Sequence, residues 1–160
     1  SDPIRPENPG PFSFRDCWIH GNSQEFDQVS PAMFDAFLLN YQKPLFARFG
    51  AVCYGCCENL TRKLDQVLTI PNLRLLTCSA WTDLPTLVAK AGDRCCIMWR
   101  HKASEVACAD DLGPLAKRIR EQARILNGCS YQAVLREMQT LMGHPDRLRE
   151  WAQLTIEAVS

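Results

Sequence analysis

The chain has 160 residues, of which 46% are hydrophobic and 22% charged, a balance that describes one folded, soluble domain and excludes a disordered polymer. Eighteen Lys and Arg residues offset eighteen Asp and Glu residues, so no overall field attracts nucleic acid or an anionic membrane surface, and neither partner is expected. The longest apolar stretches, such as Ala51 to Tyr54 or Leu73 to Thr77, are strand-sized and far short of the roughly 20 residues of a membrane span. With no signal-peptide pattern at the start of the sequence, a cytoplasmic location is the default expectation.

Nine cysteines are many, but the number is odd and includes two adjacent pairs, Cys56-Cys57 and Cys95-Cys96. That pattern suits reduced thiols better than a disulfide-stapled secreted scaffold. Free cysteine behaves as a small buried hydrophobe, the reading adopted for Cys17, Cys108 and Cys129.

In chain order, residues 1–29 read as a loop region. Pro3, Pro6, Pro9 and Pro11 with Gly10 cannot supply a regular ladder and are expected to wrap a surface. At Ser30 the pattern changes to an N-cap, with Pro31 at the first helical position and Phe34, Phe37, Leu38 and Tyr41 at helical spacing, predicting a helix to about Gly50 with a kink at Pro44. Four strand-plus-helix units follow. The strands are Ala51–Tyr54, Leu73–Cys78, Cys95–Trp99 and Tyr131–Leu135, and the helices run over about 60–68, 84–91, 112–126 and 145–159. Short apolar strands alternating with helices predict an α/β fold with a parallel sheet.

Two architectures hold four parallel strands: a small doubly wound sheet, or half of a barrel that takes about 250 residues to close. Length favours the first, but no Gly-rich phosphate loop follows any strand. Either way the working face lies at the strand carboxyl ends. There Cys53-Tyr54-Gly55-Cys56-Cys57-Glu58 offers three sulfurs and a carboxylate, open to three readings: plain packing, zinc ligation, or a redox Cys53-x-x-Cys56 pair. His101 suits a ligand or a general acid, or equally a solvated loop beside Arg100 and Lys102, whereas His20 and His144 read as surface residues. Arg100, Lys102 and Arg136 suit an anionic ligand or ordinary salt bridges.

Several ordered motifs carry a resemblance: Ser23-Gln24-Glu25-Phe26, Val29-Ser30-Pro31-Ala32-Met33-Phe34, Tyr41-Gln42-Lys43-Pro44-Leu45, Tyr54-Gly55-Cys56-Cys57-Glu58, Ile70-Pro71-Asn72-Leu73-Arg74, Ser79-Ala80-Trp81-Thr82-Asp83 and Pro145-Asp146-Arg147-Leu148-Arg149-Glu150-Trp151. Across most of its length the chain resembles the uroporphyrinogen decarboxylase-like superfamily, which includes cobalamin-dependent methyltransferases. The resemblance implies the C-terminal half of a (β/α)8 TIM barrel, as the family's barrel is about twice this length. In the methyltransferase branch a His-x-Cys-Gly segment helps hold zinc; here Tyr54-Gly55-Cys56-Cys57 stands in its place, Tyr54 replacing the histidine.

The implied metal ligands are therefore Cys56, Cys57 and Glu58. The implied ligand contacts are Tyr54, Trp81, Trp99, Arg100 and Arg136, and the catalytic candidates are Glu58, His101 and Glu137. Relatives differ in carrying proline at Asn59, Trp-Lys-Pro-Asn-Pro where this chain reads Trp99-Arg100-His101-Lys102-Ala103, and Lys-Asp at Arg136-Glu137. The function expected is corrinoid-dependent methyl transfer through a metal thiolate, with zinc and a corrinoid as cofactors. The alternatives are decarboxylation of a carboxylate-bearing tetrapyrrole, and a non-catalytic half-barrel that dimerises or binds the missing N-terminal half.

Overall fold

The computed structural model describes residues 11–136 and 138–160. The expectations placed on Pro3, Pro6, Pro9 and Gly10 lie outside the described residues, as does the catalytic candidate Glu137. The fold is α/β, with one parallel sheet of five strands in the order β1 (Trp18–Gly21), β2 (Ala51–Tyr54), β3 (Leu73–Cys78), β4 (Cys96–His101) and β5 (Tyr131–Leu135). Strand β1 corrects the expected loop. The backbone N–H of Gly50 donates to the Cys17 carbonyl and that of Gly55 to the Gly21 carbonyl, 3.2 and 2.9 Å away, tying Trp18–Gly21 to β2.

The helical segments are α1 (Pro31–Phe34) and α2 (Asn40–Phe46), joined by a π segment over Asp35–Leu39, then α3 (Leu64–Val67), α4 (Leu84–Ala91), α5 (Ala103–Ala107), α6 (Gly113–Ile125) and α7 (Arg147–Val159). Ser30 caps α1 as the sequence predicts, its hydroxyl accepting from the Met33 N–H at 3.2 Å. Asp83 caps α4 in the same way, accepting from Thr86 N–H at 2.9 Å. Pro44 sits inside α2, downstream of the π segment.

Spatial strand order follows chain order without reversal, so the sheet has no switch point of the kind that defines a doubly wound fold. Right-handed crossovers in such a sheet put every connecting helix on one face. The helices do pack in succession, α3 on α4, α4 on α6 and α6 on α7. The core lies between them and alternate strand residues, among them Val52, Tyr54, Leu76, Cys78, Ile97 and Trp99, all buried. On the opposite face, which that handedness leaves without a helix among the described residues, Cys53, Leu75, Cys96 and Met98 are only half-buried, while Ala51 and Thr77 are buried. This arrangement is compatible with part of a (β/α) barrel wall.

Candidate functional site

The loop after β2 turns sharply at Gly55, whose φ of +97° falls in the region that favours glycine. Its carbonyl accepts from Thr77 Oγ1 at 2.9 Å and from His20 Nε2 at 3.0 Å, fixing the turn against β3 and β1. The turn lifts Cys56, Cys57 and Glu58 onto the carboxyl rim. Cys56 Sγ lies 3.5 Å from Cys57 Sγ. The Arg100 guanidinium reaches back from β4, its Nε donating to Met98 Sδ at 3.2 Å and its Nη1 lying 3.4 Å from the Cys56 carbonyl and 3.9 Å from Cys56 Sγ. Burial pushes the Cys53 thiol above its ordinary pKa, and the charge of Arg100 opposes that rise.

Glu58 faces inward instead and is 3% exposed. Its Oε1 accepts from Ser23 N–H at 2.7 Å and Ser23 Oγ at 3.1 Å, and its Oε2 accepts from Cys56 N–H at 2.8 Å. Its backbone carbonyl accepts from Ser79 Oγ at 2.8 Å, and Thr82 Oγ1 accepts from Leu60 N–H at 3.1 Å. Ser23, Glu58, Ser79 and Thr82 are all buried, so this polar lattice binds together the carboxyl ends of the first three strands. Lys63 extends it, donating to the carbonyls of Phe26 and Asp27 from a buried position that lowers its pKa. Ser23, Ser79, Thr82 and Lys63 were not singled out from the sequence, although three of them stand inside the quoted motifs.

The remaining expected residues fall in three places. Trp81 is 56% exposed and lines a groove of about 330 Å3 with Cys57 and Glu58, its ring covered by the Lys102 ammonium at 4.0 Å from the centroid. Arg136 is half-buried at the end of β5, where its N–H donates to the His101 carbonyl at 3.0 Å. Tyr54, Trp99 and His101, by contrast, belong to the helix-facing parity of their strands and point into the core. Tyr54 donates to Gln42 Oε1 at 3.1 Å, and burial raises its pKa. Trp99 donates to Gln122 Oε1 at 3.1 Å. His101 is 5% exposed, accepts from Trp151 Nε1 at 2.7 Å, and has its pKa lowered to about 4 by burial and then by Arg118. The expected rim contacts thus narrow to the thiols, Arg100, Trp81 and Arg136.

Of the residues expected to ligate zinc, Cys56 and Cys57 carry their sulfurs side by side at the rim, while both Glu58 oxygens accept from donors of the fold; among the described residues no group of three or more His, Cys, Asp or Glu side chains is gathered. Of the cysteines read as core, Cys129 is half-buried and packs against the core, Cys17 is half-buried and Cys108 is exposed, while Cys78 and Cys95 take core positions.

The fold and rim together define the class: an α/β chain with a helix-free sheet face that ends in paired thiols under a guanidinium. No protein-family model, curated protein or solved structure matches the chain. Among the described residues no helix is long and apolar enough to cross a membrane.

Proposed function

We propose that this chain is the C-terminal half of a (β/α)8 barrel of the uroporphyrinogen decarboxylase-like superfamily, and that its helix-free face and carboxyl rim hold a corrinoid for methyl transfer to a thiol. The observation that carries the reading is the Cys56–Arg100 contact at 3.9 Å, set where the open face meets the strand ends. Parallel α/β folds place ligands there, and a planar guanidinium suits the carboxylate- or phosphate-bearing periphery of such a macrocycle. In the transfer the bond from methyl to its donor breaks with the electron pair left on the donor, and a thiolate sulfur supplies the pair for the new S–C bond. Because Glu58 is held by the fold, no step is assigned to zinc. The edges of β1 and β5, which pair with no further strand among the described residues, are where a second copy or the other barrel half would add strands.

The commitment of Glu58 favours one second reading, decarboxylation of a carboxylate-bearing tetrapyrrole, which needs cations at the rim and no metal. Absorbance titration with hydroxocobalamin and, separately, with uroporphyrin distinguishes the two. Saturable binding of the corrinoid alone, weakened about tenfold or more in Arg100→Met, supports methyl transfer, and selective binding of uroporphyrin supports decarboxylation. If neither binds the completed barrel, the ligand class is wrong.

A further inference from the structure

The helical stretch over residues 31–46 buries one side in the core and leaves the other to solvent. Phe34, Leu39 and Phe46 make the buried side. On the outer side Met33, Phe37, Tyr41 and Leu45 are 47, 63, 75 and 45% exposed, each four residues after the last. In a regular α-helix, positions four apart drift by about 40° around the axis at each step, so such a row would wind off the face. The π segment over Asp35–Leu39 has a wider turn, which takes back part of that drift and keeps the four side chains in line. Ala32, Ala36, Asn40 and Pro44 form the exposed row beside them.

A solvated helix face normally carries charge. That of α6 does, with Lys117, Arg118, Arg120, Glu121 and Arg124 all exposed. Between Pro31 and Phe46 no exposed residue is charged. The two ionic side chains of this stretch, Asp35 and Lys43, belong to half-buried residues and pair with each other at 3.2 Å. An aromatic side chain buries about 150–250 Å2 in full, so Phe37 and Tyr41 alone offer roughly 250 to 300 Å2 of uncovered ring. Contiguous apolar patches beyond a few hundred Å2 are rare on monomers and mark contact surfaces.

The character of this face selects its occupant. A neutral surface meets a copy of itself without like-charge repulsion, whereas a charged partner would find no counter-charge here. Set antiparallel about a twofold axis near Leu38 and Leu39, the large row meets itself, Phe37 against the partner's Tyr41 and Met33 against the partner's Leu45. The small row also meets itself, and Ala32 and Ala36 let the two helices approach closely while their dipoles oppose. With both rows covered, each copy contributes on the order of 600 Å2 and the pair buries about 1,200 Å2, the lower end of specific interfaces.

We propose that the outer face of residues 31–46 is a homodimer interface in which two copies pack antiparallel, with Phe37 and Tyr41 as its central anchors. The dimer is weak and reversible, as its area dictates. It uses neither the thiol rim nor the strand edges, and it does not rest on the function proposed for them.

The test is sedimentation equilibrium of the chain from low micromolar to millimolar concentration, with a reducing agent present so that exposed Cys108 forms no bridge. The expected result is a monomer–dimer equilibrium whose Kd rises about tenfold or more in Phe37→Glu and in Tyr41→Lys, with circular dichroism unchanged because both positions face solvent. An equimolar mixture of the two variants should regain the dimer, since the twofold axis then sets the introduced acid against the introduced amine at one contact and leaves Phe37 against Tyr41 at the other. A monomer throughout the range overturns the proposal and leaves this face to a different protein or to the other barrel half. A dimer of unchanged Kd in both variants also overturns it and moves association to the strand edges. Variants that stay monomeric when mixed overturn the antiparallel pairing.

Discussion

Glu58→Ala separates a carboxylate that builds the rim from one that is free to do chemistry. In the structure the side chain receives three hydrogen bonds, from Ser23 N–H, Ser23 Oγ and Cys56 N–H at 2.7, 3.1 and 2.8 Å. Truncation leaves two backbone donors without acceptors, and Ser23 is 0% exposed, so water does not readily replace the carboxylate there. At about 1–3 kcal/mol for each buried donor stranded, plus the loss of charge-assisted bonds, the total comes to roughly 4 kcal/mol. That is a large share of the roughly 5–15 kcal/mol that holds a domain together. With a urea slope of about 2 kcal/mol per molar, the unfolding midpoint should fall by roughly 2 M. Ser23→Ala removes one of the three contacts and should cost about 1 kcal/mol. Because it shares that contact with Glu58, the double variant should lose less than the sum of the two single losses. Circular dichroism during urea denaturation reads all three. A midpoint lowered by less than about 0.3 M in Glu58→Ala would refute the clamp, and would return Glu58 to the pool of available ligands and acids.

Other perturbations test other parts of the account. His101 has its pKa lowered from 6.5 to about 4 by burial, so at intermediate pH the unfolded chain binds the proton that the folded one refuses. Its contribution is full above pH 6.5 and is lost as pH falls toward 4, a loss of roughly 3 kcal/mol that urea midpoints should show in the wild type and that His101→Gln should flatten. Gly55→Ala forces a non-glycine residue to φ +97° and sets its Cβ 2.9 Å from Leu60 Cδ1 and 3.1 Å from Thr77 Cβ. It should cost about 3 kcal/mol, against about 1 kcal/mol for Gly128→Ala, where φ is +83° and nothing lies within 4 Å; equal losses would remove the steric argument. Burial raises the pKa of Cys78 to about 12 and of Cys95 to about 11. Iodoacetamide should therefore modify exposed Cys108 first and these two only on unfolding, as peptide mass mapping will show.

Three of the five strands were legible to the residue, because Ala51–Tyr54, Leu73–Cys78 and Tyr131–Leu135 are apolar runs bounded by turn residues. Strand β4 runs two residues beyond the expected Trp99 because its pattern changes: Arg100 and His101 end the apolar run without ending the ladder, where they pair with Val134 and Leu135. Strand β1 escaped because Trp18-Ile19-His20-Gly21 is four residues long, sits at an edge and follows a Pro-rich stretch. Cys56, Cys57 and Arg100 do stand together at the carboxyl rim, where residue type alone already marks thiols and a guanidinium after apolar strands. Tyr54, Trp99 and His101 were expected at the rim because strand ends were read whole, whereas side chains alternate with a period of two, and these three share the parity of the buried Val52 and Ile97. The inward turn of Glu58 follows from Ser23, more than thirty residues upstream, a pairing no local pattern announces.

The proposal that the helix-free face and its thiol rim form the ligand surface is tested most directly by thiol footprinting of the chain with N-ethylmaleimide, with and without saturating hydroxocobalamin. Labelling of Cys53 and Cys56 should slow with the corrinoid bound while that of Cys108, which is exposed, proceeds at its former rate. Cys53 and Cys56 labelled equally fast with and without the corrinoid, or all three slowed alike, would contradict it.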